Sequence, residues 1–258
     1  MQILKDEDIK KIEDDLMLLK SRYVELINNI WKVADVLKNE KAKEYLFHGV
    51  ARRLDVIERC VENIYSIFPL RREALLSREE LKDVEINLHA FFINIFGLLE
   101  NMAWVIVYEN NGGATNIDKK KVGLYQAETQ KFIKDGFKQY LNADQMKKWH
   151  NEYLKNYRDA LSHRIPLYVP PKRINTLQKQ QEANFDNEIR DAIKNQDYGK
   201  MSSVQNDMDL VGDPAPFFVH SLSETEYKYV VLHAQVITDF GTVEEIVGKF
   251  CAMFKAED

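Results

Sequence analysis

Hydrophobic residues near the N-terminus recur at alternating steps of three and four positions. They are Ile9, Ile12, Leu16, Leu19, Tyr23, Leu26, Ile30, Val33 and Leu37. Heptad spacing of this kind places all of them on one side of a helix. The pattern predicts a long packing helix over residues 6–38 and by itself indicates no activity.

Two further apolar patterns follow in the N-terminal half. One predicts a second helix over residues 41–67, which ends before Pro69. Ser77 and Glu80 have the spacing of a capping box, which predicts the start of a long apolar helix over residues 78–109. The Gly- and Asn-rich stretch 110–116 is typical of a loop.

The C-terminal half alternates shorter helical patterns with extended segments. We expect a short helix over residues 127–139 and another from Asn142 to Arg164. After them we expect a polar amphipathic helix over 174–195 and a long mobile loop over 196–216. A final helix is expected to start at a Ser223–Glu226 capping box and to run to about residue 254. The stretches "PLYVPP" and "PFFVHSL" are extended in character.

Composition agrees with an all-α fold. The chain has only 10 Gly and 6 Pro, whereas 30% of its residues are charged, which favours long helices over turn-rich β architectures. Residues 88–108 are apolar enough to imitate a membrane span, but polar residues such as Asn94 and Glu100 favour a buried helix, so we expect no membrane association. Cys60 and Cys251 are expected to be buried thiols, and no signal peptide is visible, which predicts a cytoplasmic protein.

The stretch "NYRDALSHRIPLYVPP", residues 156–171, carries the candidate chemistry. Ile165 precedes a proline and is therefore pushed out of the helical region, so His163 should lie in the last helical turn. Asp159 and His163 are four residues apart and can share a hydrogen bond, by which an aspartate orients an imidazole for acid–base work. Arg158 has the planar fork that binds phosphate. A structural alternative is that these side chains only satisfy the carbonyls at the helix end.

This stretch resembles the signature of the HEPN superfamily. In that signature an arginine is followed directly by a polar residue, and four to six residues separate the arginine from a histidine. The motif lies near the end of a late helix in an all-α bundle. The stretch "RDALSH" fits the short form of the signature. Within a single all-α domain over 1–258, the resemblance implies a HEPN-like helical core, to which the patterns above add an N-terminal helical pair over 6–70 and an inserted helix and loop over 172–216. Its core would comprise 78–165 and 222–254.

Many members of this superfamily are metal-independent endoribonucleases of toxin, phage-defence and RNA-processing systems that act as homodimers; others are inactive binding or scaffold proteins. By resemblance, His163 would be the general acid or base, Arg158 would bind the scissile phosphate, and Asp159 would orient His163 or support the fold. The same resemblance implies RNA as substrate, a homodimer, and no metal or cofactor, and it allows an antitoxin or other protein partner.

A local excess of positive charge supports a polyanionic ligand, although the whole chain has a formal net charge of −5. Between residues 147 and 173 only Glu152 and Asp159 oppose the cations, and "DKKK" at 118–121 adds a basic cluster. A solvated helix face is the alternative explanation. The predicted nucleic-acid-binding residues are Lys147, Lys148, Lys155, Arg164, Lys172 and Arg173.

Several other side chains carry weaker predictions. Glu100 lies among apolar neighbours, so we expect it to be buried and paired with Arg158 or another cation; pairing with Arg52, Arg53 or Arg59 is the alternative. Tyr153, Tyr157 and Tyr168 could stack on bases or simply pack. The histidines His48, His89, His150, His220 and His233 show no metal-ligand spacing and are expected to have core or surface roles.

Two alternative functions remain open at this stage. One is a non-catalytic helical module that binds nucleic acid or a protein partner. The weaker one is a nucleotide pyrophosphohydrolase resembling MazG, for which Glu80–Asp83 and Glu188–Asp191 supply the ExxD spacing but no ExxE occurs.

Overall fold

The computed structural model describes residues 4–110, 118–221 and 226–255. Helices form most of these residues, and β structure among them is confined to one two-stranded antiparallel sheet and two isolated bridges. The helices are α1 (Asp6–Val36), α2 (Glu40–Tyr45), α3 (Arg52–Ile67), α4 (Arg78–Asn110), α5 (Ala127–Gln130), α6 (Asp135–Asn142), α7 (Asp144–Lys148), α8 (Lys155–His163), α9 (Thr176–Lys194), α10 (Tyr198–Asp209) and α11 (Leu232–Met253). The strands are β1 (Phe217–Ser221) and β2 (Tyr227–Val231).

The long N-terminal helices agree with the sequence prediction. α1 buries its heptad seam, and α2 and α3 are joined through a π-helical turn at Leu46–Ala51, here called the first π turn. The capping box at the start of α4 is confirmed, because the Glu80 N–H donates to Ser77 Oγ at 3.1 Å and the Ser77 N–H donates to Glu80 Oε2 at 2.8 Å. Arg72 clamps the same carboxylate with two hydrogen bonds.

α4 is the central helix of the core. Its residues Leu88, Phe92, Ile95 and Met102 are fully buried, and it packs most extensively against α3, while α1 packs against α11. By length and composition α4 could cross a membrane, but 61% of its most apolar window is buried inside the protein. This burial is consistent with a soluble protein in which α4 is a core helix.

The motif lies on a continuous helical run from Asp144 to His163. The run comprises α7, a second π turn at Trp149–Leu154, and α8. α8 ends at His163, and Arg164 takes an extended conformation with φ −130° and ψ −162°. The predicted stop before Pro166 is therefore confirmed.

The segment after α8 is held against α4 and the sheet. His89 Nε2 donates to the Leu167 carbonyl at 2.6 Å, and the Val169 N–H donates to Glu85 Oε1 at 3.1 Å. Tyr168 and Val219 exchange two backbone hydrogen bonds of 3.2 and 2.8 Å. These contacts fix where the motif helix ends relative to the core.

Three sequence predictions require correction. The helix expected over residues 127–139 is divided into α5 and α6 by a turn at 131–134. Residues 198–209 form α10 rather than part of a mobile loop, because α9 and α10 pack together and bury Ala192 and Val204. The final helix begins at Leu232, since residues 227–231 pair with β1 instead. The fold is thus mostly helical with a small sheet. Ser223 of the predicted capping box, and residues 111–116 of the predicted loop, lie outside the described residues.

Both cysteines are buried free thiols, as the sequence predicts. Burial raises the pKa of Cys60 to about 11 and that of Cys251 to about 12. Neither thiol is therefore reactive at neutral pH.

Candidate nucleic-acid interface

Arg158 is half-buried on the side of α8 that faces α4. Its guanidinium carbon lies 4.2 Å from the centre of the Phe96 ring, a cation–π contact that fixes the plane of the group. Arg158 Nε lies 2.8 Å from Asp159 Oδ1, but the Nε–H finds no acceptor in hydrogen-bond geometry. Stacking on Phe96 and attraction to Asp159 thus position Arg158, and its N–H groups remain available to donate to a ligand.

Arg158 lines a cleft of about 470 Å³, here called the Arg158 cleft. Its lining includes five cationic side chains and, among the described residues, a single carboxylate, Glu100. The cations are Lys119, Lys120, Lys147, Lys155 and Arg158. Because positive charge dominates a concave surface, the cleft attracts and concentrates polyanions.

His150 also lines the Arg158 cleft, on the second π turn. Its ring stacks on Tyr125 with 3.9 Å between centroids, and its Nδ1 lies 2.9 Å from Asn151 Oδ1. Burial lowers the pKa of His150, and the Asn151 contact opposes that shift. When Nδ1 donates to Asn151, Nε2 carries the lone pair of the neutral ring and can accept a proton.

His163 is exposed at the C-terminal end of α8 and is not among the residues that line the Arg158 cleft. Its five-residue offset from Arg158 explains this separation, since the two side chains leave an ideal helix roughly 140° apart. One chain therefore presents the two motif residues on different parts of its surface.

Two supporting roles expected from the sequence are not found. Asp159 pairs with Arg158, and no hydrogen bond joins it to His163 within the described residues. Glu100 is exposed rather than buried, because it points outward at the cleft. Within the described residues it forms no ion pair. Two of the three alternative partners are engaged elsewhere: Arg59 pairs with Glu62, and Arg53 is bound by two asparagines.

The six predicted nucleic-acid-binding residues do not form one surface. Lys147 and Lys155 line the Arg158 cleft, whereas Lys148 lines a separate cavity beside β2. Arg164 donates to the Asn156 carbonyl at 3.1 Å, and Lys172 pairs with Glu182 at 2.7 Å. Arg173 lies 3.7 Å from Asp213. The basic run is divided because the chain turns sharply after α8.

The three tyrosines also have separate environments. Tyr157 is 1% exposed and packs against Phe92, Phe218 and His220, so it belongs to the core. Tyr153 lies under the Lys228 ammonium at 4.3 Å, and Tyr168 is exposed. Only Tyr168 presents an open ring face of the kind that bases stack on.

Within the described residues, the carboxylates on which the pyrophosphohydrolase alternative depends do not form a metal-binding cluster. Glu80 is held by Arg72, and no group of three or more His, Cys, Asp or Glu side chains arranged to hold a metal occurs within the described residues. A magnesium cage needs several oxygen ligands close together.

Sequence reasoning missed His150 and Asn151, although a signal was present. Counted from Lys147, His150, Asn151, Lys155 and Arg158 follow at three, four, eight and eleven residues, which places them on one helical face. The other wall, from α4 and the 118–126 segment, is distant in sequence. Comparison of the chain with protein-family models, with curated proteins and with solved structures finds no match in any of the three, so the HEPN resemblance remains a prediction.

Proposed function

We propose that this chain is a HEPN-like RNA-binding protein that holds an RNA phosphate in the Arg158 cleft and cleaves the strand without a metal. The observation that carries the proposal is the Arg158 guanidinium, stacked on Phe96 in a cleft that four lysines line. Such an arginine is well suited to a phosphate, because its fork is held in position before the ligand arrives.

The reaction is a transesterification. A base removes the proton of the ribose 2′-hydroxyl, the oxygen attacks phosphorus, and the P–O5′ bond breaks as the leaving oxygen gains a proton. The products are a 2′,3′-cyclic phosphate and a 5′-hydroxyl. Arg158 would offset the charge that develops on the phosphoryl oxygens.

By the HEPN resemblance, His163 would be the acid or base. Because His163 lies outside the cleft lining, the proposal includes a homodimer in which His163 of one chain approaches the Arg158 cleft of the other. Its exposed position on the last turn of α8 is compatible with that role. We also propose a cytoplasmic location, where RNA is accessible.

The test is incubation of the purified chain with single-stranded and structured RNA in EDTA, beside His163→Ala, His150→Ala and Ser162→Ala. Ser162 is an exposed neighbour on the same turn and serves as the matched control. We expect wild type and Ser162→Ala to leave cyclic phosphate ends, and His163→Ala to lose roughly 10²-fold or more in rate. Light scattering during size-exclusion chromatography measures the dimer.

Normal cleavage by His163→Ala would overturn the assigned role of His163, and dependence on His150 instead would move the base into the cleft. If wild type binds RNA through Lys147 and Lys155 but does not cleave it, the non-catalytic module replaces the enzyme. The exposed His163 and the Asp159–Arg158 contact are compatible with that second function.

A further inference from the structure

A second cavity lies beside the first π turn, on a different side of α4 from the Arg158 cleft. Its volume is about 480 Å³, within the range of small-molecule sites. Asn94 and Asn101 face it from α4, seven residues apart and so nearly aligned along the helix. The remaining lining residues are Glu44, Tyr45, His48, Gly49, Arg52, Arg53 and Val56.

Arg53 is fixed at this cavity by neutral acceptors. Its Nε donates to Asn101 Oδ1 at 2.9 Å and its Nη1 donates to Asn94 Oδ1 at 3.0 Å. The Asn94 amide nitrogen donates to the Ala90 carbonyl at 2.8 Å, which turns its oxygen toward Arg53. The guanidinium is therefore oriented while its charge is not neutralised, since no ion pair joins Arg53 to a carboxylate in the described residues.

Two glycines make room for this arrangement. A Cβ atom on Gly97 would overlap the Arg53 guanidinium, and one on Gly49 would come within 2.7 Å of Asn101 Cγ. Both positions lie inside helical segments, where glycine costs about 1 kcal/mol relative to alanine. The space at Gly97 is thus filled by Arg53, and the space at Gly49 is filled by Asn101, which orients Arg53.

The first π turn brings further donors to the same opening. A π turn closes its hydrogen bond over five residues instead of four, and His48 and Arg53, five apart, both line the cavity with Arg52. Glu44, the single carboxylate that the described residues contribute to the lining, is already paired with Lys41 at 2.6 Å. Such turns often occur at functional sites.

From these contacts we propose that the Arg53 cavity binds a phosphate monoester, as carried by a mononucleotide or by the 5′ end of an RNA. The Nη2 hydrogens and the second Nη1 hydrogen of Arg53 form a fork that can donate hydrogen bonds to two phosphate oxygens, and Arg52 and His48 lie beside it. Tyr45 supplies an aromatic wall for a base, and its own ring packs on Trp104 and Tyr108. This site is separate from the Arg158 cleft and does not depend on RNA cleavage.

The experiment is calorimetric titration of the full chain with inorganic phosphate, AMP, adenosine, and one trinucleotide with either a 5′-phosphate or a 5′-hydroxyl. We expect AMP or the 5′-phosphorylated trinucleotide to bind, and the two ligands without a phosphate monoester, adenosine and the 5′-hydroxyl trinucleotide, to bind at least roughly tenfold more weakly. A preference for AMP identifies a free nucleotide, whereas a preference for the phosphorylated trinucleotide identifies an RNA end.

The variants are Arg53→Gln, Gly97→Ala and, as a matched control, Arg59→Gln. Arg59 is an exposed arginine of the same helix that pairs with Glu62 and does not line the cavity. Arg53→Gln should weaken phosphate binding roughly tenfold or more, and Arg59→Gln should bind as wild type. Gly97→Ala keeps the charge but displaces the guanidinium, so it should also weaken binding.

Lack of binding of all phosphate ligands by the folded wild type, or unchanged binding in Arg53→Gln, would overturn the proposal. If Arg53→Gln does not fold, Gly97→Ala decides: weaker binding supports the site and unchanged binding refutes it. Binding at this site should be unaffected by Arg158→Lys, which separates its outcome from that of the ribonuclease proposal.

Discussion

At the scale of single residues, two arginines are held in unusual ways. Arg158 stacks on Phe96 and is only partly matched by Asp159, and Arg53 is bound by two asparagine oxygens. Most interior arginines are paired with carboxylates, because an unpaired buried charge is costly. Both guanidinium groups border cavities, where a bound anion would supply the missing charge.

The planar shape of Arg158 should matter beyond its charge. In Arg158→Lys the positive charge remains, but the stacking on Phe96 and the two-pronged hydrogen bonding are lost. We expect RNA binding to weaken by about 1 kcal/mol, measured as the Kd of a short single-stranded RNA by fluorescence anisotropy.

Arg164→Lys is the matched control for this change. Arg164 donates to the Asn156 carbonyl and does not line the cleft, so its replacement should leave the Kd unchanged. Equal effects of the two substitutions would show that Arg158 acts only as one positive charge among many.

At the scale of elements, α4 organises the functional surface. Opposite sides of this helix contribute Phe96 to the Arg158 cleft and Asn94 to the Arg53 cavity. Its N-terminal half also holds the segment after α8 through Glu85 and His89. One buried helix thus sets the position of both cavities and of the end of the motif helix.

Removing the Glu85 carboxylate should loosen the segment after α8. In Glu85→Ala the buried Val169 N–H loses its acceptor, and we expect the free energy of unfolding to fall by about 1–3 kcal/mol. Chemical denaturation measures the loss, and faster amide exchange at Val169 would locate it.

Asp83→Ala is the comparison for Glu85→Ala. Asp83 is an exposed carboxylate two residues earlier on the same helix, so its removal should change stability by no more than about 0.5 kcal/mol. A similar loss in both variants would mean that Glu85 contributes only a general charge effect.

At the scale of the whole molecule, buried ionisable groups link the fold to pH. Burial lowers the pKa of His220 and of His233 from 6.5 to about 4, and burial raises the pKa of Asp239 from 3.8 to about 6. Trp149 donates a hydrogen bond to Asp239 at 2.8 Å, which joins the motif run to α11, and Gln235 of α11 itself donates to the same carboxyl at 2.7 Å. These groups come from several parts of the core, so their titration affects global stability.

We expect the free energy of unfolding to fall as the pH is lowered from 6.5 to 4. In this window the unfolded chain protonates both histidines whereas the folded chain keeps them neutral, and each costs about 1.4 kcal/mol per pH unit. Asp239 acts in the opposite direction between pH 4 and 6, because the folded state holds a proton that the unfolded state has released.

Asp239→Asn separates these contributions. Without the opposing carboxyl, the slope of stability against pH between 4 and 6 should steepen by about 1.4 kcal/mol per pH unit. Urea denaturation at several pH values measures the slope. An unchanged slope would show that Asp239 is ionised in the folded protein throughout this range.

The long helices could be predicted from the sequence, because helix formation and helix ends depend on residues that are close together in the chain. Heptad spacing specified α1, the Ser77–Glu80 box specified the start of α4, and Pro166 specified the end of α8. The motif residues were equally visible, since they lie within six positions of one another. What periodicity cannot supply is the orientation of one helix against another.

Which side chains meet depends on contacts between elements that are distant in the sequence. Residues 227–231 became a strand because β1 was there to pair with them, and residues 198–209 became a helix because α9 offered a surface to pack on. Arg158 and His163 were separated by the geometry of one helix, while His150 and Glu100 were brought to the Arg158 cleft from different elements. Helix propensity acts between near neighbours, whereas a cleft is formed by contacts between residues far apart in the chain.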